Sequence, residues 1–200
     1  MTKSVLLIGG SSHAGKSTLA QGVAARLGWD CQSTDSLARH PGRPWNHTTG
    51  VVKPHVVEHY ATLQPEALLA DVLAHYERNV LPLVGTIIRE RLQSPAQPGL
   101  VLEGSALWPD FADRLLLDPR VAAIWLTADD AVFTHRLHAE SRRGEATADG
   151  GALIDKFLAR TLLYNQRMLV SCHQRNLPIF KTGAQFAPDT LLVSCLSLLE

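Results

Sequence analysis

Residues 9–18 read Gly-Gly-Ser-Ser-His-Ala-Gly-Lys-Ser-Thr, in which Gly10, Gly15, Lys16 and Ser17 complete the pattern G-x-x-x-x-G-K-[ST]. This short run constrains the fold more than any other part of the chain. Small residues let the backbone turn back on itself, so that successive N–H groups point into one concavity suited to a phosphate oxyanion. The pattern requires a strand before it and a helix after it. Val5-Leu6-Leu7-Ile8 is an apolar run of buried-strand type. Beyond the loop, Leu19, Val23, Ala24 and Leu27 recur at three- and four-residue spacing up to Gly28, as an amphipathic helix does. With both flanks in place, Gly10, Ser11, Ser12, His13, Ala14, Gly15, Lys16, Ser17 and Thr18 form the expected nucleotide-contacting set. Lys16 is expected to reach the β- and γ-phosphates and Ser17 to ligate Mg²⁺. The positive end of the helix faces the same charge. No Asn-Lys-x-Asp guanine-reading element occurs in the chain, so ATP is expected in preference to GTP.

The rest of the chain alternates strand-like and helix-like segments, which predicts a three-layer α/β fold around a parallel sheet. Strands are expected at 30–34, 99–102, 121–126 and 177–181, with a closing helix at 188–199. Between the second and third strands, residues 40–95 form an insert with helices expected at 54–62, 65–77 and 79–93. Its size suits a helical substrate cap. The whole chain, 1–200, reads as one domain with this cap and a lid at about 136–152.

Composition narrows the partners. Nineteen basic residues balance nineteen acidic ones, so no net field attracts nucleic acid or an anionic membrane surface. The apolar stretches are short for a bilayer span, and Lys3 leads directly into a strand, so a cytoplasmic location is expected. A small-molecule partner and a monomer or homodimer are the remaining expectation. Cys31, Cys172 and Cys195 are odd in number and lack C-x-x-C pairing, which predicts reduced, buried thiols.

In open α/β sheets ligands bind beyond the carboxyl ends of the strands, which singles out Asp35 and Glu103. Asp35 is the candidate general base for an acceptor hydroxyl; the plainer reading makes it a helix N-cap. Glu103 ends an apolar strand and is the candidate holder of Mg²⁺, directly or through water, with Gly104 leaving room for ligand. Arg136, Arg142 and Arg143, followed by the small residues of 145–151, suit a lid that neutralises charge during phosphoryl transfer. Arg160 and Arg167 share a helix face with Tyr164 between them and are candidates for gripping an anion. Lys181-Thr182-Gly183 is expected to border the adenine. His55-Val56-Val57-Glu58-His59 matches H-x-x-E-H, which in a metalloprotease would also need a third ligand. A solvated or substrate-contacting helix face is the simpler expectation for it.

Taken together, Ile8 to Thr18, Ser33-Thr34-Asp35-Ser36, Glu103-Gly104 and the segment Phe157 to Leu169 with Arg160 resemble the 2-phosphoglycerate kinase family of P-loop small-molecule kinases. These pieces span most of the chain. The Gly-Ser-Ser stretch is also similar to chloramphenicol phosphotransferase, and the layout to gluconate and shikimate kinases. The resemblance implies an NMP-kinase-type P-loop NTPase fold with strand order 2-3-1-4-5. It further implies ATP and Mg²⁺ as cofactors and a small, anionic, 2-phosphoglycerate-like acceptor. The family's arginine after the aspartate is displaced here to Arg39, behind Ala38, which is assigned to acceptor binding with Asp35, Glu103 and Arg160. Two other readings stay open. One is a nucleoside or nucleotide kinase that stacks a base on Trp45, Tyr60 or Trp108; the other is a nucleotide-switched binding protein.

Overall fold

The computed structural model describes residues 3–38, 40–183 and 188–199. Five parallel strands, β1 (Val5–Gly10), β2 (Asp30–Ser33), β3 (Leu100–Glu103), β4 (Val121–Ala128) and β5 (Ile179–Thr182), form one sheet in the order β2-β3-β1-β4-β5. This is the implied order. Parallel strands are buried on both faces, which is why β1 and β3 read as unbroken apolar runs. Along β1, Val5 and Leu7 enter one core while Leu6 and Ile8 enter the other.

Helix α1 (Lys16–Leu27) supplies Leu19, Ala20 and Val23 to the core beneath one face, where the C-terminal helix α8 (Pro188–Ser197) contributes Cys195. The opposite face is covered by α3 (Pro65–His75), α4 (Leu81–Gln93), the short α5 (Ala112–Leu115) and the 27-residue α7 (Ala148–Gln174). Helix α2 (Pro54–Thr62) and α6 (Asp130–Ser141) meet α7 in a third cluster, in which Val56, Tyr60, Leu68, Leu137, Ile154 and Phe157 are buried. The insert therefore has a small core of its own, seated on α7.

Three expectations are corrected. First, α3 and α4 are joined without a break by a π-helical turn at Tyr76–Val80. Pro82 has no N–H for the carbonyl of Arg78 and crowds it, so the backbone widens, and Leu81 N–H reaches back to the Tyr76 carbonyl. Second, residues 148–151 are the first turn of α7. The Thr147 hydroxyl accepts from Gly150 N–H at 3.2 Å and Asp149 sits in the first turn, and this N-terminal signature outweighs the paired glycines. Third, Cys172 and Cys195 are buried but Cys31 is exposed, because β2 is an edge strand.

The glycine after Glu103 has a different use from the one expected. Gly104 has φ +152°, and a Cβ there would lie 1.8 Å from the buried Thr34 hydroxyl oxygen. The space is filled by Thr34, directly after β2, where the turn that carries Asp35 runs beside Glu103. Gly104→Ala combines overpacking with an unfavourable φ, each costing about 1–3 kcal/mol, so a loss of roughly 2–5 kcal/mol is expected. Urea unfolding measures it. A midpoint unchanged from wild type would show that Thr34 moves aside freely.

Candidate active site

The loop between β1 and α1 turns through left-handed backbone at Gly15, φ 93°, and His13, φ 65°. Gly15 is the N-cap of α1, and no side chain caps that helix. Its first N–H groups are thus open to an external acceptor, as an anion-binding helix start requires. Lys16 is buried and donates from Nζ to the Ser11 carbonyl at 2.8 Å. Burial lowers its pKa, opposed by the nearby charges of Glu103 and Asp35. The Ser17 hydroxyl donates to Glu103 Oε1 at 3.1 Å. Two hard oxygen ligands therefore converge beside the lysine, which suits Mg²⁺ held together with phosphate oxygens. The residues present fit both a nucleoside triphosphate and its metal.

Two cavities open from this point. The larger, about 1000 Å³, runs from the loop over α1, with Arg136, Thr182, Gly183, Leu191 and Leu192 along its far side. The smaller, about 260 Å³, lies between the loop and the helical insert, walled by His40, Arg43, His75, Tyr76 and Arg160. Asp35, Ser12, Arg43 and Ser105 line both. Asp35 sits in the 3₁₀ turn Thr34–Ser36, and Ser33, not Asp35, is the N-cap, accepting from Asp35 N–H at 3.3 Å. The Asp35 side chain is left exposed where the cavities join.

Arg160 is buried beneath the smaller cavity. Its guanidinium carbon lies 4.3 Å from the Phe157 ring centroid, and Nη1 donates to the Tyr60 hydroxyl at 3.2 Å. Among the described residues no carboxylate lies within ion-pair distance of it. A buried cation without a carboxylate partner is costly unless an anion completes it.

The other predicted arginines separate. Arg136 Nη1 donates to the His13 carbonyl at 2.9 Å and to the Thr182 hydroxyl at 3.3 Å, so it braces the loop from the wall of the larger cavity. Arg142 ends α6 in left-handed backbone, exposed, 3.9 Å from Glu145. Arg143 donates to both carboxylate oxygens of Asp155 at 2.8 and 2.7 Å. Neither Arg142 nor Arg143 lines either cavity. Arg167 is exposed away from both, because seven residues carry it about 10 Å further along α7. Tyr164 is buried and donates to the Ser105 carbonyl at 2.7 Å. Arg39 lies outside the described residues.

Several site residues carried no sequence signal. Arg43 contacts Glu140 of α6, which also lies 2.8 Å from His13 Nε2, so one carboxylate joins the loop, the insert and α6. His13 lines the larger cavity. Its side chain is 5 % exposed, beside Trp45 and Phe157, and burial lowers its pKa against the pull of Glu140. The aromatic residues considered for stacking a base are engaged in packing. Trp108 lies edge-on to Tyr164 at 4.8 Å, and Trp45 edge-on to Phe157 at 4.9 Å. Tyr60 is fully buried.

No protein-family model and no curated protein sequence matches the chain. Solved structures do. A gluconokinase from Sinorhizobium meliloti matches with TM-score 0.53 at 16% identity, covering 99% of this chain and 92% of that one. A sugar kinase from a Janibacter species matches with TM-score 0.54 at 17% identity, covering 98% and 94%. Shikimate kinase from Aquifex aeolicus gives TM-score 0.51 at 11% identity, covering 98% and 95%. At these identities the likeness is one of fold alone, a three-layer α/β fold around the parallel sheet described above.

Proposed function

We propose that the protein is an ATP- and Mg²⁺-dependent kinase acting on a hydroxyl of a small anionic metabolite, 2-phosphoglycerate-like in carrying its charge close to that hydroxyl. The observation that carries this reading is the position of Asp35. Its carboxylate stands where a cavity floored by Lys16, Ser17 and Glu103 meets one backed by Arg160.

The nucleotide would lie in the larger cavity, with its base toward Thr182, Gly183, Leu191 and Leu192. Lys16 and the open N–H groups of α1 bind its β- and γ-phosphates. Bound Mg²⁺, which Ser17 and Glu103 would hold, neutralises charge on the phosphate oxygens. The acceptor enters the smaller cavity with its anionic group toward Arg160 and Arg43 and its hydroxyl toward Asp35. The acceptor oxygen forms a bond to the γ-phosphorus and its proton passes to Asp35. The bond from that phosphorus to the β–γ bridging oxygen breaks, and ADP leaves. Little covalent chemistry falls to the protein, so rate comes from positioning and charge.

The test is ADP release from Mg·ATP with a panel of acceptors: 2- and 3-phosphoglycerate, gluconate, shikimate, chloramphenicol and nucleosides. An anionic compound is expected to raise the rate at least tenfold over background, while chloramphenicol and nucleosides do not. Stimulation by a nucleoside alone would overturn the anionic assignment. ATP binding with no stimulation by any of these would favour a nucleotide-switched binding protein.

A further inference from the structure

The helical insert brings together three metal-ligating side chains that the phosphoryl-transfer site does not use. His40 follows β2, His59 ends α2 and Asp71 lies on α3. His40 Nε2 is 3.2 Å from Asp71 Oδ2, His59 Nε2 is 3.9 Å from the same oxygen, and the three ligand atoms all lie within 4.8 Å of one another. Tetrahedral Zn²⁺ with bonds of 2.0–2.2 Å sets its ligands about 3.3 Å apart. The His40–Asp71 separation already matches, and His59 closes the remaining gaps by moving inward by up to about 1.5 Å, within the reach of a side-chain rotation.

A second observation points the same way. His59 Nε2 is buried and has no hydrogen-bond partner among the described residues, although it is turned toward Asp71. A buried ring nitrogen left unpaired loses its hydration without compensation, and a metal ion would restore it. Two imidazoles and one carboxylate form a borderline-soft donor set, in contrast to the hard oxygens of Ser17 and Glu103. The H-x-x-E-H pattern does not account for the cluster, because His55 is exposed and takes no part.

We propose that His40, His59 and Asp71 bind one divalent transition-metal ion of the Zn²⁺ class, separate from the nucleotide's Mg²⁺, which fastens the segment after Asp35 to α2 and α3. His40 also lines the smaller cavity, so the bound ion would hold one wall of the acceptor site in place. The site does not depend on the phosphoryl-transfer reading.

The untagged full chain, stripped with a chelator and dialysed with Zn²⁺ in excess Mg²⁺, is expected to retain one equivalent of zinc by elemental analysis. Co²⁺ in its place is expected to give visible absorption of four-coordinate intensity. His59→Gln and Asp71→Asn should each weaken Zn²⁺ binding at least tenfold, whereas His55→Gln should not. Asp71 is half exposed, so its substitution leaves packing intact, and circular dichroism of each variant checks the fold. Zinc retention far below one equivalent in the wild type would overturn the proposal. So would retention unaffected by either His59→Gln or Asp71→Asn.

Discussion

Lys16→Met is expected to abolish the stabilisation that Mg·ATP confers on the protein while leaving the thermal midpoint of the nucleotide-free chain at or above that of wild type. The ligand term is set by mass action: at a nucleotide concentration 100 times its Kd, binding adds about 2.7 kcal/mol. For a chain of this size each kcal/mol moves the midpoint by roughly 2–4 °C, so the wild type should gain on the order of 5–10 °C. The variant should gain almost none, because in the proposed binding mode Lys16, buried beside the open N–H groups of α1, is the cation that reaches the β- and γ-phosphates. Acceptor-stimulated turnover should fall by about 10³-fold, the scale on which removing a preorganised charge donor acts.

The second half of the expectation follows from burial. Lys16 is buried, and desolvation is the largest influence on its pKa, exceeding the attraction of Glu103 and Asp35. The charge is thus a net cost to folding that methionine, of similar length and apolar, relieves. Function and stability are opposed at this position, as they are at many sites built to hold charge out of water. Full retention of the ATP-induced shift in the variant would show that the loop does not bind the nucleotide through this lysine. A midpoint several degrees below wild type would show that the Lys16–Glu103 attraction outweighs desolvation.

What the chain discloses in advance and what it hides divide along physical lines. The strand, loop and helix around Lys16 are local, and their residues act through backbone conformation, so the sequence carries them nearly whole. Asp35 and Glu103 were also legible as candidates, because Glu103 ends one strand and Asp35 lies just beyond another, at the carboxyl ends where open α/β sheets bind ligands. The smaller cavity was not. Its walls come from the segment after β2, the π-helical turn at Tyr76–Val80 and the middle of α7, brought together by packing of the insert. Arg160 was visible as a basic residue on a helix, but its burial against Phe157, with no carboxylate among the described residues within ion-pair distance, exists only in three dimensions. The cluster of His40, His59 and Asp71 was hidden for the same reason: its members fall on three separate segments. Arg142 and Arg143 show the converse. Clustered arginines after a helix read as a lid, yet Asp155, one helix later, holds Arg143 in a two-bond pair, and Arg142 ends α6 in solvent.

Asp35→Asn is expected to separate binding from chemistry. Asparagine keeps the volume and can still orient a hydroxyl, but it cannot take up the proton that leaves when the acceptor oxygen bonds to phosphorus. A positioned general base contributes about 10²–10⁴-fold, so kcat with the best-stimulating acceptor should fall by that amount. The ATP-induced thermal shift should persist, since the proposed nucleotide contacts are Lys16, Ser17 and the start of α1. Acceptor KM should change little, because the proposed charge contacts for it are Arg160 and Arg43 and not Asp35. The fold should tolerate the change: the Asp35 side chain is exposed, and among the described residues its carboxylate accepts no hydrogen bond. The cap at this turn comes from Ser33 and contacts only the backbone N–H of residue 35, which asparagine retains. A loss in kcat below tenfold would mean that Asp35 only orients the acceptor and that the proton leaves by another route. A large rise in acceptor KM with kcat intact would place Asp35 in recognition, not in proton transfer.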